Sequence, residues 1–392
     1  MLDTPFTPWP DFTQEEATAV SKVLLSNRVN YWTGRECRNF ENEFATWAEC
    51  NHAVALANGT VALDLALRVL GVGTGDEVAV SPRTFIASVS CVVNAGAKPV
   101  FADVDRDSQN ITAETIRAVL TPRTKAILCV HLAGMPCEMD AIMALASEKN
   151  LFVIEDCAQA HGALYKGRSV GTIGDIGAWS FCQDKIITTG GEGGMLTTNR
   201  RDWWEKAWAY KDHGKSWDAV YQRRHPPGFR WLHDTFGTNW RMTEMQAAIG
   251  RIQLGRMQEW RAVRTHNAAA IRTLARTIPA LRVPELPEHI IHAWYKCYLF
   301  VRPEKLRPGW NRDRILEEIQ LRGVPCYSGS CPEVYLEKAF EKTDFRPAAR
   351  LGNAKELGET SMMFLVHPTL QPEEIQTTCD AIQAVMDIAA AQ

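Results

Sequence analysis

The sequence has no long apolar run. No stretch reaches the roughly 18 uncharged apolar residues that a membrane-spanning helix requires. It also has no excess of positive charge, because 43 Lys and Arg residues face 46 Asp and Glu residues and the formal net charge is −3. No basic face is therefore available for nucleic acid. The stretch from Met1 to Trp32 lacks the basic and apolar segments of a signal peptide, and we expect neither nucleic-acid nor membrane partners.

Cys-x-x-Cys pairs are also missing, although the chain contains 11 cysteines. Several cysteines lie in apolar segments, such as Cys91 and Cys129. Buried free thiols in a reducing compartment explain this usage better than disulfides or a metal centre. We therefore expect a cytoplasmic protein that holds no metal.

Short apolar runs alternate with segments of helical periodicity, which predicts an α/β fold with a mostly parallel sheet. The predicted strands are Val78–Val80, Lys98–Val104, Ala126–His131, Leu151–Glu155, Gly177–Phe181 and Gly194–Thr198. The predicted helices between them are Thr60–Leu70, Phe85–Asn94, Ala113–Leu120 and Met139–Lys149.

The chain is long enough for two domains. Thr243–Ala275 has the period of one long helix, and the proline-rich stretch 278–287 is typical of a linker. A smaller α/β unit follows, with a strand at Tyr295–Val301 and helices at Arg312–Arg322 and Pro372–Ile388. We predict a large domain over residues 1–255 and a smaller C-terminal domain over residues 256–392.

Lys185 is the strongest chemical signal. It follows an apolar strand that runs to Ser180, and it precedes a turn that is rich in glycine (Gly190, Gly191, Gly193, Gly194). A lysine followed by two isoleucines is poorly placed as a surface charge, and a partly desolvated amine is suited to Schiff-base chemistry. The glycines permit close backbone approach to a ligand. Alone, Lys185 would more simply be a solvated loop residue; with Ser180 and the glycine turn, it predicts covalent cofactor chemistry.

Two carboxylates, Glu155 and Asp156, end another buried strand. Ligands of open α/β sheets bind at the carboxyl ends of the strands. Adjacent strand residues point to opposite faces, so only one of the two carboxylates can face a given site. An acidic residue at a strand end is more often a helix cap, and the pair indicates a site only together with Lys185.

Two further segments have the character of binding sites. Gly59 and Thr60 stand at the start of a predicted helix, where backbone N–H groups can bind a phosphate, although Asn-Gly-Thr can also be a simple cap. Asn239 lies beside Trp240 in a turn before the long helix. A cap at Thr243 would explain that helix start, but it does not explain the exposed polar side chain of Asn239.

These segments resemble the DegT/DnrJ/EryC1/StrS family of sugar aminotransferases over roughly residues 12 to 375. The resemblance rests on separated motifs in the family's order, which are Gly34 to Phe44, Asn58 to Thr60, Gly75 to Val78, Thr84 to Ala87, Phe101 to Val104, His131 to Pro136, Glu155 to Gly162, Ser180 to Lys185, Gly191 to Gly194 and Gly237 to Gln246. Within the family, the chain resembles the transaminases that make 8-amino-3,8-dideoxy-octulosonate for lipopolysaccharide.

The resemblance implies an aspartate-aminotransferase-type fold (fold type I) with a seven-stranded type of sheet, the cofactor pyridoxal 5'-phosphate (PLP) and a homodimer. Motif by motif, it implies that Lys185 is the Schiff-base lysine and that Asp156 pairs with the pyridine nitrogen. Gln159 would contact the phenolic oxygen and Phe85 would stack on the ring. Ser180 and the amides of Gly59 and Thr60 would hold the phosphate, and Asn239 would reach the phosphate of the neighbouring subunit.

The implied reaction is a ping-pong transfer of an amino group from an amino acid, glutamate, to a keto sugar. The acceptor would be a nucleotide-linked keto sugar or a keto-deoxyoctulosonate-type sugar acid. Two alternatives remain: a PLP-dependent dehydratase or lyase on the same fold, and a PLP-binding regulator without turnover. Family members that are dehydratases carry histidine in place of the lysine, and Lys185 therefore favours amino transfer. Arg223, Arg224 and Arg230 either bind an anionic substrate or belong to a solvated loop.

Overall fold

The computed structural model describes residues 6–391, and α-helices alternate with β-strands between residues 52 and 156. The helices are α1 (Gln14–Leu25), α2 (Glu36–Ala48), α3 (Gly59–Val69), α4 (Ala87–Asn94), α5 (Ala113–Arg117), α6 (Met139–Lys149), α7 (Arg201–Lys211), α8 (Trp217–Tyr221), α9 (Glu244–Gly255), α10 (Met257–Arg276), α11 (Arg312–Gln320), α12 (Gly352–Thr360) and α13 (Pro372–Ala389).

The strands are β1 (His52–Leu56), β2 (Glu77–Val80), β3 (Lys98–Phe101), β4 (Thr124–Val130), β5 (Phe152–Asp156), β6 (Leu164–Tyr165), β7 (Arg168–Ser169), β8 (Ile176–Ser180), β9 (Gly194–Thr198), β10 (Leu281–Arg282), β11 (Ile290–Ile291), β12 (Cys297–Val301), β13 (Cys326–Tyr327) and β14 (Ser361–Phe364). Short 3-10 turns lie at Leu132–Gly134, Pro303–Lys305, Val334–Leu336 and Lys338–Phe340.

Seven strands form the central sheet in the order β1-β9-β8-β5-β4-β2-β3. The neighbours from β8 to β3 are parallel, whereas β9 is antiparallel to both β8 and β1. The prediction of an α/β fold with a mostly parallel sheet is therefore confirmed. All six strands predicted for this part of the chain form, within two residues at their starts and three at their ends. Strand β1 was not among the predicted strands.

A four-stranded sheet, β10-β12-β14-β13, organises the C-terminal part of the chain. Its core is built from residues of α10, β12, α11 and α13, among them Ile271, Leu299, Ile315 and Ile382. The stretch predicted as a linker is only partly a linker, because Leu281 and Arg282 pair with β12 as its edge strand. The division at residue 255 remains a prediction, although α9 ends at Gly255.

The prediction of one long helix from Thr243 to Ala275 is wrong. The chain forms two helices that meet at Arg256, whose φ of −90° and ψ of −5° depart from helical values. Gly255 has a weak helix preference, and the Arg256 guanidinium is held by the carboxylates of Glu15 and Glu16 on α1. Contacts with α1 therefore fix the break.

Among residues 6–391, no helix combines the length and the apolar character that crossing a bilayer requires.

Candidate active site

A cavity of about 600 Å³ opens at the carboxyl ends of β2, β5 and β8. This is the edge of a parallel sheet at which ligands bind. Seven of the eight residues that the sequence singled out line this cavity: Gly59, Thr60, Phe85, Asp156, Gln159, Ser180 and Lys185. The fold thus gathers residues that are up to 126 positions apart in the chain.

Asp156 is the last residue of β5 and its carboxylate faces the cavity. Ser88 donates a hydrogen bond from Oγ to Asp156 Oδ2 at 2.7 Å, and the N–H of Ala158 donates to Oδ1 at 3.1 Å. Thr84 lies within hydrogen-bond distance of Ser88, with 2.7 Å between the two hydroxyl oxygens. The carboxylate is therefore fixed in orientation, while its oxygens retain lone pairs for a further donor.

Glu155 points to the opposite face of β5 and is fully buried. Its carboxylate accepts hydrogen bonds from the N–H groups of Gly171, Ile173 and Gly174 at 2.6–2.9 Å. His131 completes the set with Nε2 at 2.9 Å, and this ring nitrogen carries the proton because Nδ1 accepts from the Cys137 N–H. Glu155 therefore holds the strand in the core.

Burial alone would raise the pKa of Glu155, but the hydrogen bonds from His131, Gly174 and Gly171 outweigh it and hold the pKa below its ordinary value. Glu155, His131 and Cys157 present possible metal-ligand atoms within 4.8 Å of one another. The carboxylate of this group is already satisfied by its four donors, so we assign the cluster to the core.

One end of the cavity is suited to a phosphate. Helix α3 begins at Gly59, after the cap that Asn58 makes by accepting from the Val61 N–H at 3.0 Å. The first N–H groups of a helix have no partner within that helix and bind anions. A Cβ at Gly59 would lie 2.6 Å from the Cβ of Ser180, so only glycine allows the helix to approach the end of β8 this closely.

The other predicted residues that line the cavity are Lys185, Gln159 and Phe85. Lys185 follows β8 and its side chain is 16% exposed. Gln159 is held by the N–H of Ala133, which donates to Oε1 at 2.7 Å. Phe85 is 67% exposed although it is a large aromatic residue, which is the state expected of a ring that a flat ligand covers.

Asn239 is the one predicted site residue that the cavity does not contain. It lies exposed in the turn before α9, where its backbone pairs with Asp212. Within one subunit it therefore takes no part in the site.

Sequence reasoning missed Ser88, Asp184, Glu192 and Tyr295. Ser88 has a partial signal, because it follows Thr84 by one helical turn. Asp184 and Glu192 line the cavity, and Tyr295 donates a hydrogen bond to Asp184 across 111 residues of sequence. No local sequence pattern predicts a contact between residues so far apart in the chain.

The basic stretch after His213 is partly neutralised within itself. Arg223 pairs with Asp234 at 3.1 Å and with Asp218 at 3.3 Å. Trp217 packs against Trp204 and Trp208 of α7, with ring centroids 4.9 and 5.1 Å away. This part of the stretch is a folded loop, and Arg223 is not a free anion clamp.

The residues present fit PLP. A carboxylate, a lysine, an exposed aromatic face and a helix start beside a serine are arranged around one cavity, and the glycine at the helix start lets α3 lie close to that serine. The fold and this cavity define the class of fold type I PLP-dependent aminotransferases. Residues 10–383 match the DegT/DnrJ/EryC1/StrS aminotransferase family, and the chain belongs to that family.

Known proteins agree with this assignment. A solved aminotransferase from Psychrobacter cryohalolentis is 63% identical, with a TM-score of 0.97 over 98% of this chain and 100% of that chain. The solved DesV of S. venezuelae, in complex with a ketimine intermediate, is 31% identical, with a TM-score of 0.84 over 95% of each chain. GDP-perosamine synthase of Escherichia coli O157:H7 is 34% identical over 95% of this chain and 96% of its own length.

The protein is a PLP-dependent sugar aminotransferase, which takes an amino group from a donor and gives it to a keto sugar. The sequence-based expectations of family, fold type, cofactor and class of enzyme are confirmed.

Proposed function

We propose that the protein transfers the amino group of glutamate to a nucleotide-linked keto sugar, with Lys185 as the Schiff-base lysine and Asp156 as the partner of the pyridine nitrogen. The observation that carries this proposal is the placement of Lys185, Asp156 and the start of α3 around one cavity. Glutamate is proposed from the family resemblance. A nucleotide-linked acceptor is supported by the name of the GDP-perosamine relative, and a keto-octulosonate sugar acid is the second candidate.

Bound PLP supplies an electron sink beside the reacting carbon. Asp156 would accept a hydrogen bond from the protonated ring nitrogen and keep that nitrogen protonated. The hydrogen bond from Ser88 would hold the carboxylate in the orientation that this requires. Ser180 and the N–H groups of Gly59 and Thr60 would hold the phosphate. Gln159 would contact the phenolic oxygen, and Phe85 would cover one face of the ring.

Lys185 would have two tasks. Its Nζ would hold the cofactor between turnovers. When the donor displaces it, the freed amine would take the proton from the donor's α-carbon and deliver it to the cofactor's side of the bond, acting as general base and then as general acid. The first product leaves after the half-reaction with the donor and before the half-reaction with the acceptor, which predicts ping-pong kinetics.

We further propose a homodimer in which Asn239 reaches the phosphate of the partner's cofactor. Three large aromatic residues near Asn239 in sequence are strongly exposed in the single chain: Phe229 by 76%, Trp231 by 80% and Phe236 by 97%. An exposed apolar group of this size marks an interaction surface. A second copy of the chain would cover it and bring Asn239 to the neighbouring site.

A dehydratase or lyase is the competing function on this fold, and a regulator without turnover is the third. The presence of Lys185 favours the transferase, because the dehydratases of the family carry histidine in its place and an amine can move a proton from the donor's α-carbon to the cofactor.

The test is a panel of keto sugars, nucleotide-linked sugars and octulosonate-type sugar acids, offered with ¹⁵N-glutamate and read by mass spectrometry. The proposal expects ¹⁵N in one sugar product and 2-oxoglutarate in equal amount. Loss of water from the sugar without ¹⁵N uptake would establish the dehydratase. No transfer of ¹⁵N from glutamate, either to the cofactor or to any acceptor, would favour the regulator.

A further inference from the structure

Asp184 lies directly before Lys185 and its carboxylate lines the same cavity. Tyr295, which precedes β12 in the C-terminal half of the chain, donates a hydrogen bond from its hydroxyl to Asp184 Oδ2. The tyrosine is only 7% exposed, and its N–H is bound to the carbonyl of Ala133 at 3.0 Å. The phenol of Tyr295 is therefore held in place, and its hydrogen bond fixes the position of Asp184 Oδ2.

The amine of Lys185 lies against both groups. Its Nζ is 3.9 Å from Asp184 Oδ1, the oxygen that Tyr295 leaves free. The same Nζ lies 5.1 Å from the centroid of the Tyr295 ring, within the range of a cation–π contact. One carboxylate and one ring face thus define a position for the amine.

A second amine, that of Lys296, also lies against the Tyr295 ring. Its Nζ lies 4.9 Å from the centroid of the same Tyr295 ring. The pKa of Lys296 is lowered to about 8, chiefly by burial; the positive charges of Arg264 and Lys185 also lower it, and Asp184 opposes them. Two amines therefore share one ring and one carboxylate, and their repulsion disfavours movement of Lys185 away from the cavity and toward Lys296.

We propose that Asp184, held by Tyr295, is a positioning residue that keeps the Lys185 amine at the reaction centre whenever the amine is not bonded to the cofactor. This inference rests on the role of Lys185 in the proposed function. A free lysine side chain samples many rotamers, and proton transfer requires the amine within hydrogen-bond reach of the reacting carbon. Asp184 does not contact the reacting atoms and acts through Lys185.

The first test uses the protein freed of PLP, so that no activity is needed. Lys185 is labelled with acetic anhydride at one pH, and its rate is measured by peptide mass spectrometry against the exposed Lys338. In Asp184→Asn, the released amine should label about 3- to 10-fold faster, a change of the size that loss of one partly exposed ion pair produces. Asp184→Glu should restore the slow rate, and Tyr295→Phe should lie between. Glu192→Gln is the matched control, because it removes a carboxylate from the same cavity without a contact to Lys185.

The second test is the half-reaction with glutamate in the loaded enzyme. Asp184→Asn should lower kcat about 10- to 100-fold, the range of general acid–base catalysis lost by misplacement, with KM for glutamate changed less than threefold. Asp184→Glu should recover most of kcat.

Equal labelling rates in Asp184→Asn and the parent would overturn the positioning role, and so would a failure of Asp184→Glu to restore either readout. Borohydride reduction that attaches the cofactor to a lysine other than Lys185 would instead overturn the proposed function. The two failures are therefore distinguishable.

Discussion

At the scale of single residues, Lys185 has the most direct test. Borohydride reduction of the holoenzyme, followed by peptide mapping, should place the PLP adduct on Lys185, because it is the lysine in the cavity. Lys185→Ala should lose the long-wavelength absorbance of the Schiff base. An adduct on Lys296, whose pKa of about 8 also makes it reactive, would contradict the assignment.

The two neighbouring carboxylates of β5 should respond differently to loss of charge. Asp156→Asn should retain PLP but lose about 10²- to 10³-fold in kcat, since a neutral amide cannot hold the ring proton. Glu155→Gln should instead lower stability, because Glu155 faces the core. Steady-state kinetics and bound-PLP content of both purified variants separate the two roles. Normal turnover in Asp156→Asn would show that the wrong carboxylate was chosen.

Glu155 also makes stability depend on pH. Because its pKa in the folded protein lies below the ordinary 4.5, the unfolded chain takes up the proton first. The stabilisation is therefore complete above about pH 4.5 and is lost as the pH falls through the folded-state pKa. Urea unfolding from pH 3.5 to 7 should show that Glu155→Gln lowers the free energy of unfolding at pH 7 by about 2–4 kcal/mol, and flattens the acid limb. The exposed control Glu341→Gln should follow the parent, and an unchanged acid limb in Glu155→Gln would contradict the account.

The sequence could predict that only one of Glu155 and Asp156 faces the site, because side chains alternate along a strand. It could not derive which one, and the choice came from the family resemblance. The residues that contact Asp156 and Lys185 could not be predicted from the sequence either. Ser88 and Tyr295 are placed by the packing of α4 and β12, which depends on contacts between distant parts of the chain.

At the scale of secondary-structure elements, the close approach of α3 to β8 is the feature most sensitive to a single atom. Gly59→Ala would place a Cβ 2.6 Å from the Ser180 Cβ and should push the helix start away from the phosphate position. We expect the Kd for PLP to rise about 10-fold or more, since overpacking costs about 1–3 kcal/mol. Fluorescence titration of the PLP-free protein measures it.

Gly352→Ala is the matched control, because Gly352 is also the first residue of a helix, α12, and a Cβ there meets nothing within 4 Å. Its Kd for PLP should equal that of the parent. If Gly59→Ala binds PLP as tightly as the control, α3 does not supply the phosphate site.

The apolar pattern of the sequence predicts some boundaries of helices and strands but not others. Strands buried on both faces, such as β4 and β5, were predictable because they read as continuous apolar runs. The break between α9 and α10 was not, since the apolar period continues through Gly255 and Arg256. The ion pairs of Arg256 with Glu15 and Glu16 decide the break, and those residues lie about 240 positions away.

At the scale of the whole molecule, the proposed sharing of the active site between subunits predicts complementation between inactive variants. Lys185→Ala and Asn239→Ala homodimers should each be impaired. In Asn239→Ala the free energy of PLP binding should weaken by about 1–3 kcal/mol, the scale of a hydrogen bond to a charged group. A mixed dimer would contain one site with both residues intact. Mixing and re-equilibrating the two variants should therefore raise activity above that of Asn239→Ala alone.

Activity that stays at the Asn239→Ala level after mixing would contradict sharing between subunits. Two preparations of Asn239→Ala mixed with each other are the control for the re-equilibration step. Native mass spectrometry of the mixture, with one variant labelled with ¹⁵N, establishes that subunits have exchanged.

The segment before α1 contacts both the active-site lysine and the start of α13. The Trp9 indole donates to the carbonyl of Lys185 at 2.9 Å, Pro8 accepts from Thr369 at 3.0 Å, and the Thr7 N–H is bound to Glu374 of α13. During synthesis on a ribosome, Thr7 leaves the exit tunnel long before Glu374 has been translated, and the contact between them must wait for that residue. The nascent chain can therefore fold its central sheet early, but it can complete the contacts that hold the segment before α1 only after Glu374 has been translated.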